Sequence, residues 1–364
     1  MRNYSKENPL LMIPGPTMVP DIVMSEIAKQ VLPHRSPEFS NILKNVYENL
    51  KYVFQTDDDV FIFPSSGTGA MCSALENLIN PNDKVLCLVN GVFSNRFAQI
   101  ANARGANVKT ISVPYGSVIS VEKVEQYLCA NSDTKIVTLA CSETSTGALN
   151  DIKNICSVIR KTDAISVVDG ISAVGIVDCK KDEWGIDVLV SASQKGFLCP
   201  PGLSFLSASE RAYKIFKQCN HPSFYFNWDF YKDAVKNNTV PCTPAINLIM
   251  GLNKSLEIIK EIGLEHVISN YAKYSYKMRQ ALKSIGISLF TKDSESSNAV
   301  TSFYVPDGFE AEQIRNILKE KYHIIIANGQ KELKDKILRV GTIGDISDDD
   351  IDYTIQSLGE ILRN

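Results

Sequence analysis

AISVVDGISAVG at residues 164–175 and DVLVSASQKGFLCPPG at residues 187–202 are the two stretches that decide the fold. Each begins with an apolar run rich in β-branched residues, which predicts a buried strand. Asp169 directly follows the first run, and Lys195 follows the second one at a Gly and Pro-rich turn. In open α/β sheets, ligands bind beyond the carboxyl ends of the strands. The two stretches therefore predict a sheet whose functional edge carries an aspartate and a lysine.

Five further runs of the same kind alternate with helical stretches. They are DVFIF (59–63), KVLCLV (84–89), ANVKTISV (106–113), KIVTLA (135–140) and GLSFLSAS (202–209). Strands that alternate with helices indicate a parallel sheet covered on both faces. We therefore expect a large α/β domain with a mainly parallel, seven-stranded sheet.

The pattern changes after PCTPA at residues 241–245, where long amphipathic helices begin. The last third then reads as strand, helix, strand, strand (KILRVG, 336–341) and helix, which suits a smaller α+β domain. We expect an N-terminal segment at 1–19 that packs near the active site, a large domain at 20–254 and a small domain at 255–364.

Composition excludes several classes of protein. A formal net charge of -3 gives no basic field for nucleic-acid phosphates, and no apolar run reaches the length that spans a bilayer. A cytoplasmic location is the default expectation. The nine cysteines are scattered and the four histidines isolated, so we expect reduced thiols and no metal site.

The segment FPSSGTGA (63–70) predicts a phosphate site. Ser66, Gly67 and Thr68 follow a strand at the start of a predicted helix, whose free N–H groups and positive dipole end favour an anion. A simple helix-capping turn is the alternative. No lysine follows the glycines, so the segment is not a Walker motif.

Asp169, Lys195 and Arg339 are the candidates for chemistry. A carboxylate at the sheet edge can pair with the ring nitrogen of pyridoxal phosphate, or else it caps the next helix. A lysine in a dry site with cationic neighbours loses its proton and can attack an aldehyde. Arg339 of KILRVG could bind a substrate carboxylate through two parallel hydrogen bonds, or form a surface ion pair.

These segments together resemble the class V aminotransferases of fold type I, over nearly the whole chain, especially the alanine/serine:glyoxylate or pyruvate branch. The matching landmarks are IPGPT (13–17), SSGTGA (65–70), NGVFSNRF (90–97), SETSTGAL (142–149), VVDGISAVG (167–175), SQK (193–195) before PPG (200–202), TVP (239–241) and LRVG (338–341). The resemblance implies a pyridoxal-phosphate-dependent enzyme. It would transfer an amino group from alanine, serine or aspartate to pyruvate or glyoxylate by a ping-pong mechanism.

The resemblance also implies a role for each landmark residue. Lys195 would hold the cofactor covalently and move the proton, and Asp169 would pair with its ring nitrogen. Arg339 would bind the substrate carboxylate. The remaining contacts implied are Ser66, Gly67, Thr68 and Gln194 at the phosphate, Phe93 and Ile171 on the two faces of the ring, and Thr144 at its phenolic oxygen.

Thr239 matches a family position that reaches the phosphate from a neighbouring subunit, so the resemblance implies a homodimer. Several relatives have a Tyr three residues earlier, where this chain has Lys236. The outer phosphate contacts therefore differ from the family pattern at one position.

The sequence disfavours three other functions. A cysteine desulfurase needs a thiol on a loop after the large domain, but the last cysteine is Cys242. A catalytically silent relative, used as a binding or scaffold module, would lack Lys195 or Asp169. No GxGxxG follows the first strand, which disfavours a dinucleotide-binding dehydrogenase.

His34 and Arg35 form part of HRSPEF (34–39), a segment that resembles the His-Arg segment of phosphoserine aminotransferases. His34 and Arg35 would hold a second anionic group of the substrate, such as a side-chain carboxylate or phosphonate, if they face the site; otherwise Arg35 caps a helix or forms a surface ion pair. In the first case, aspartate, 2-aminoethylphosphonate or phosphoserine becomes a candidate donor.

Overall fold

The computed structural model describes residues 4–362. Its strands are β1 (Leu10–Met12), β2 (Val60–Phe63), β3 (Lys84–Val89), β4 (Asn107–Ser112), β5 (Ile136–Ala140), β6 (Ser142–Glu143), β7 (Ala148–Leu149), β8 (Ile165–Asp169), β9 (Val188–Ala192), β10 (Ser204–Ala208), β11 (Val300–Tyr304), β12 (Ile324–Asn328) and β13 (Ile337–Gly341).

The helices cover the sheets and connect them. They are α1 (Asp21–Ile27), α2 (Pro37–Phe54), α3 (Gly67–Glu76), α4 (Val92–Ala103), α5 (Val121–Ala130), α6 (Ile152–Ile159), α7 (Glu210–Phe216), α8 (Trp228–Lys236), α9 (Ile246–Ile262), α10 (Leu264–Ser284), α11 (Ala311–Tyr322) and α12 (Asp348–Leu362).

The larger sheet has seven strands in the order β2-β10-β9-β8-β5-β3-β4. Only β10 runs antiparallel to its neighbours, and the other pairings are parallel. The central strands β5, β8 and β9 are buried at every residue, as expected for a sheet that helices cover on both faces. The seven predicted strands and the mainly parallel sheet are confirmed.

The smaller sheet has four strands in the order β1-β12-β13-β11, and its own apolar cluster packs beneath α10, α11 and α12. Its C-terminal strands and helices occur in the predicted order. Sequence analysis did not find β1, which has three residues and pairs in parallel with β12. The predicted boundary at 254/255 falls within α9, and the division into domains stays a prediction.

The N-terminal segment passes from the small sheet to the edge of the large one. After β1, the Thr17 N–H donates to the Gln194 carbonyl oxygen at 3.2 Å, next to Lys195. Gly341, the last residue of β13, lies directly against Ile13 and Pro14. A side chain at position 341 would therefore push this segment away from the lysine.

Among residues 4–362, no helix is long and apolar enough to cross a membrane.

Replacing Gly341 with Ala should destabilise the fold. An ideal Cβ at this position would lie 2.1 Å from the Ile13 carbonyl oxygen. Overpacking of this kind costs about 1–3 kcal/mol, which urea unfolding would measure as a lower free energy of unfolding.

Gly359→Ala in α12 is the matched control, because nothing lies within 4 Å of a Cβ added there. Removing a helical glycine should stabilise the protein by about 0.5–1 kcal/mol. If Gly341→Ala were as stable as Gly359→Ala, the close approach between residue 341 and the N-terminal segment would be wrong.

Candidate active site

The candidate site lies at the carboxyl edge of the large sheet, where five strands deliver one predicted residue or segment each. β2 leads to Ser66, Gly67 and Thr68, and β3 leads to Phe93. The other three strands lead to Thr144 after β5, Asp169 at the end of β8, and Gln194 with Lys195 after β9.

Lys195 is a buried amine, with 8% of its surface exposed. Its Nζ donates a hydrogen bond to the Pro14 carbonyl oxygen. Burial, followed by the positive charge of Arg339, lowers the pKa of Lys195 to about 8, and the charge of Asp169 acts in the opposite direction. The uncharged amine, which a nucleophile requires, is therefore far more populated near neutral pH than in an ordinary lysine.

Gly15 makes room for the lysine. Its φ of +136° suits glycine, and an ideal Cβ there would lie 2.6 Å from Lys195 Cε. The IPGPT landmark at 13–17 therefore packs the backbone against the Lys195 side chain.

Asp169 is buried, with 4% of its surface exposed. Its Oδ1 accepts a hydrogen bond from the Ile171 N–H at 2.8 Å. Burial raises the pKa of Asp169 to about 7, with a smaller increase from Glu143, while the Ile171 N–H, Arg96 and Lys195 act in the opposite direction. A cationic group bound beside this carboxyl would stabilise its ionised form.

The start of α3 has the features of an anion cradle. Ser66 is the N-cap, but its side chain makes no capping hydrogen bond. Gly67 is tightly enclosed, because an ideal Cβ there would lie 2.5 Å from Ile171 Cδ1. Thr68 Oγ1 accepts a hydrogen bond from Arg96 Nη1 at 3.0 Å. The first N–H groups of a helix have no partner within it and are available to a ligand.

Gln194 and Thr144 complete the floor of the site. The Gln194 Oε1 atom is buried and has no hydrogen-bond partner among the described residues, which is costly unless a ligand supplies one. The Thr144 hydroxyl lies 2.6 Å from the Ser172 hydroxyl.

Arg339 extends from β13 and fixes the small sheet to the large one. Its Nε and Nη2 donate to the Asn328 carbonyl oxygen at 2.9 and 2.7 Å, and its Nη1 donates to the Thr144 carbonyl oxygen at 2.9 Å. Because a guanidinium has five N–H groups, one remains on each terminal nitrogen. A carboxylate could accept hydrogen bonds from these two N–H groups. Burial lowers the pKa of Arg339 to about 10, so it stays charged at neutral pH.

Glu143 is a buried carboxylate that sequence analysis did not single out. Its two oxygens accept hydrogen bonds from the N–H groups of Phe93, Ser94 and Ser145 and from the hydroxyls of Ser94 and Ser145, at 2.6 to 3.2 Å. It thereby holds the start of α4, which carries Phe93, against the loop that carries Thr144. Ser145 of SETSTG was a local signal for this role, but three of the five donors come from NGVFSNRF.

Arg96, Ser172, Pro14 and Asn328 are the other contact residues that sequence analysis did not assign. Two of them act through a backbone carbonyl, which carries no side-chain signature. Arg96 and Ser172 lie within quoted landmarks, NGVFSNRF and VVDGISAVG, but their partners come from other segments.

Thr239 and Arg35 are not brought to Lys195 by any described contact within the chain. The Thr239 carbonyl oxygen accepts a hydrogen bond from the Tyr47 hydroxyl at 2.8 Å. Arg35 is exposed in the turn before α2. Their predicted roles stay predictions.

No group of His, Cys, Asp and Glu side chains within residues 4–362 is arranged to hold a metal ion.

Comparison with known proteins identifies a family. The family described as aminotransferase class-V matches residues 10–344. The soluble hydrogenase 42 kDa subunit of Anabaena cylindrica is 38% identical, covering 97% of this chain and 93% of that protein. The L-aspartate–glyoxylate aminotransferase of Paracoccus denitrificans is 33% identical, covering 94% and 88% respectively.

A solved structure of an aminotransferase has the same fold. The alanine–glyoxylate aminotransferase of Nostoc sp. superposes with a TM-score of 0.93 at 28% sequence identity, covering 100% of this chain and 96% of that chain.

The amine of Lys195 should titrate with a midpoint near its pKa of about 8. Reductive methylation of the ligand-free protein with carbon-13 formaldehyde, followed by NMR across pH, would measure this midpoint. Comparison with Lys195→Ala identifies the signal.

Two variants test what shifts the pKa of Lys195. Arg339→Met should raise the Lys195 midpoint, because it removes a cation that disfavours the ammonium form, and Asp169→Asn should lower it. A midpoint near the ordinary lysine value of about 10.4 would mean that the amine is not desolvated.

Proposed function

The chain belongs to the class V aminotransferases, and from this premise we propose that it uses Lys195 and pyridoxal phosphate to move an amino group from a small amino acid to a small 2-oxo acid. The observation that carries the proposal is the buried Lys195 amine, which donates to the Pro14 carbonyl oxygen and has its pKa lowered to about 8 by burial and the charge of Arg339. Members of this family use pyridoxal phosphate.

The residues of the site fit this cofactor. The start of α3 offers N–H groups and the hydroxyls of Ser66 and Thr68 to a phosphate, and the unpartnered Oε1 of Gln194 lies buried at the same edge. Phe93 and Ile171 supply apolar surface for the two faces of a ring, and the Thr144 hydroxyl is a partner for its phenolic oxygen. When bound, pyridoxal phosphate supplies an aldehyde and a ring that withdraws electrons.

Lys195 and Asp169 have complementary roles in this proposal. Lys195 would hold the cofactor through a covalent bond from Nζ to the aldehyde carbon, formed with loss of water, and its freed Nζ would take a proton from the donor Cα. Asp169 holds a proton on the ring nitrogen, since its pKa of about 7 falls when a cation binds beside it. The same two residues run the steps in reverse with the 2-oxo acid, which gives ping-pong kinetics.

Arg339 orients the donor. Its two remaining N–H groups, on Nη1 and Nη2, bind the α-carboxylate, while Thr144 and Asn328 keep the guanidinium fixed. Such preorganisation favours a bidentate contact with little loss of side-chain entropy. Alanine, serine and aspartate are the proposed donors, and pyruvate and glyoxylate are the proposed acceptors.

A homodimer is part of the proposal, since Thr239 would reach the phosphate of a neighbouring subunit. Phe224, Tyr225 and Phe230, in and near the segment that leads into α8, are exposed by 83%, 48% and 46%. Exposed aromatic side chains on this scale are typical of surfaces that a partner covers. A cytoplasmic location also remains part of the proposal.

An absorbance spectrum of the purified protein tests the function. We expect a yellow band that borohydride traps on Lys195 and that is absent from Lys195→Ala. Alanine, serine or aspartate should bleach the band, and the amino acid that does so fastest is the preferred donor. A colourless protein that ignores added pyridoxal phosphate would contradict the proposal and favour a silent binding module.

Arg35→Ala tests whether donors with a second anionic group are substrates. If Arg35 binds that group, the variant should raise KM for aspartate about tenfold, the effect of losing one charge-assisted hydrogen bond, and leave KM for alanine unchanged. An equal effect on both donors would exclude a specific contact. 2-Aminoethylphosphonate and phosphoserine should be assayed beside them.

A further inference from the structure

Arg96 joins two of the elements to which the proposed function assigns the cofactor. It lies on α4, one turn after Phe93, and its guanidinium carbon is 4.9 Å from the centroid of the Phe93 ring. Its Nη1 donates to Thr68 Oγ1, on the first turn of α3, at 3.0 Å. One side chain therefore contacts both the proposed ring-stacking residue and a proposed phosphate residue.

Arg96 contacts a hydroxyl and an aromatic ring rather than a carboxylate. Among residues 4–362, no carboxylate lies within salt-bridge distance of it. Arg104, which caps the other end of α4, instead donates to the carbonyl oxygens of Glu76, Ile79 and His221. The two arginines thus differ. Arg104 donates to backbone carbonyl oxygens at the end of α4, whereas Arg96 adds a positive charge beside the start of α3.

The hydrogen bond from Arg96 also sets the direction of the Thr68 hydroxyl. A threonine hydroxyl has one proton to donate and two acceptor positions. Because Arg96 occupies an acceptor position of Oγ1, the hydroxyl proton is left to donate elsewhere. An anion at the start of α3 is the acceptor that this arrangement favours.

We propose, on the basis of the proposed function above, that Arg96 is a positioning residue for the phosphate end of the cofactor. It directs the Thr68 hydroxyl toward the phosphate, holds the Phe93 ring in place by a cation–π contact, and adds positive charge to the N-terminus of α3.

Arg96 also affects Asp169, the proposed partner of the ring nitrogen. Arg96 is one of the cations that lower the pKa of Asp169 against the effect of burial. Loss of Arg96 should therefore raise that pKa. A purely structural arginine such as Arg104 has no such effect on Asp169.

The test compares Arg96→Met and Arg96→Lys with Arg104→Met. Affinities of the cofactor-free proteins for pyridoxal phosphate and for unphosphorylated pyridoxal are measured by absorbance titration. We expect Arg96→Met to lower the preference for the phosphorylated compound about tenfold, the effect of one charge-assisted hydrogen bond. Arg96→Lys should recover part of this loss, since it keeps the charge.

Arg104→Met is the control for stability. It should lower the urea midpoint at least as much as Arg96→Met does, while the preference for pyridoxal phosphate over pyridoxal stays at the wild-type value. If Arg96→Met also keeps the wild-type preference, or if Arg104→Met loses it equally, the inference is wrong.

A double-mutant cycle tests the route through Thr68. Thr68→Val removes the hydroxyl. Adding Arg96→Met to this variant should therefore lower the preference for pyridoxal phosphate over pyridoxal by less than Arg96→Met lowers it in the wild type. If the fold-loss of the double variant equals the product of the two single-variant losses, Arg96 does not act by directing this hydroxyl.

The same titrations separate this inference from the proposed function. If the wild-type protein binds neither compound, the proposed function fails. If the wild type prefers pyridoxal phosphate and Arg96→Met does so equally, only the inference fails. Inorganic phosphate, as a competitor of pyridoxal phosphate, gives a further readout that does not depend on catalysis.

Discussion

The desolvation of one primary amine is the constraint on which the rest of the site depends. Water stabilises an ammonium strongly, so Lys195 can lose its proton near neutral pH only where water is excluded. The carboxyl edge of the large sheet supplies part of the enclosure, and the segment after β1 supplies the rest through Pro14 and Gly15. The fold must therefore bring residues about 180 positions apart into van der Waals contact, as the separation of 181 between Pro14 and Lys195 records.

The smaller sheet takes part in the same enclosure. β1 pairs with β12, and β13 places Gly341 against Ile13 and Arg339 against the Thr144 carbonyl oxygen. The small sheet thus positions both the segment that covers Lys195 and the cation that lowers its pKa. A change in how the two sheets meet would alter the reactivity of the lysine as well as the binding of a carboxylate.

Much of the fold followed from local patterns, because six of the seven strands of the large sheet are apolar runs buried at nearly every residue, and only the edge strand β4 is largely exposed. The strand β1 escaped detection because three residues carry too little periodicity, and only the pairing with β12 defines it. In the site, Asp169 and Lys195 stood out because the first ends a buried strand and the second follows one closely. Glu143 and Arg96 did not, since their roles depend on partners 28 to 50 residues away, on other elements.

The charges of the site form one coupled set rather than separate functional groups. Arg339 disfavours the ammonium form of Lys195, Asp169 favours it, and Glu143 raises the pKa of both Asp169 and Arg339. On the proposed function, a substrate carboxylate bound to Arg339 would offset the positive charge that Lys195 experiences. The amine would then hold a proton more readily when a substrate is present than when it is absent. Lys195 would thus have a larger uncharged fraction when it must act as a nucleophile, and would be a stronger base when it must accept the proton from the donor Cα.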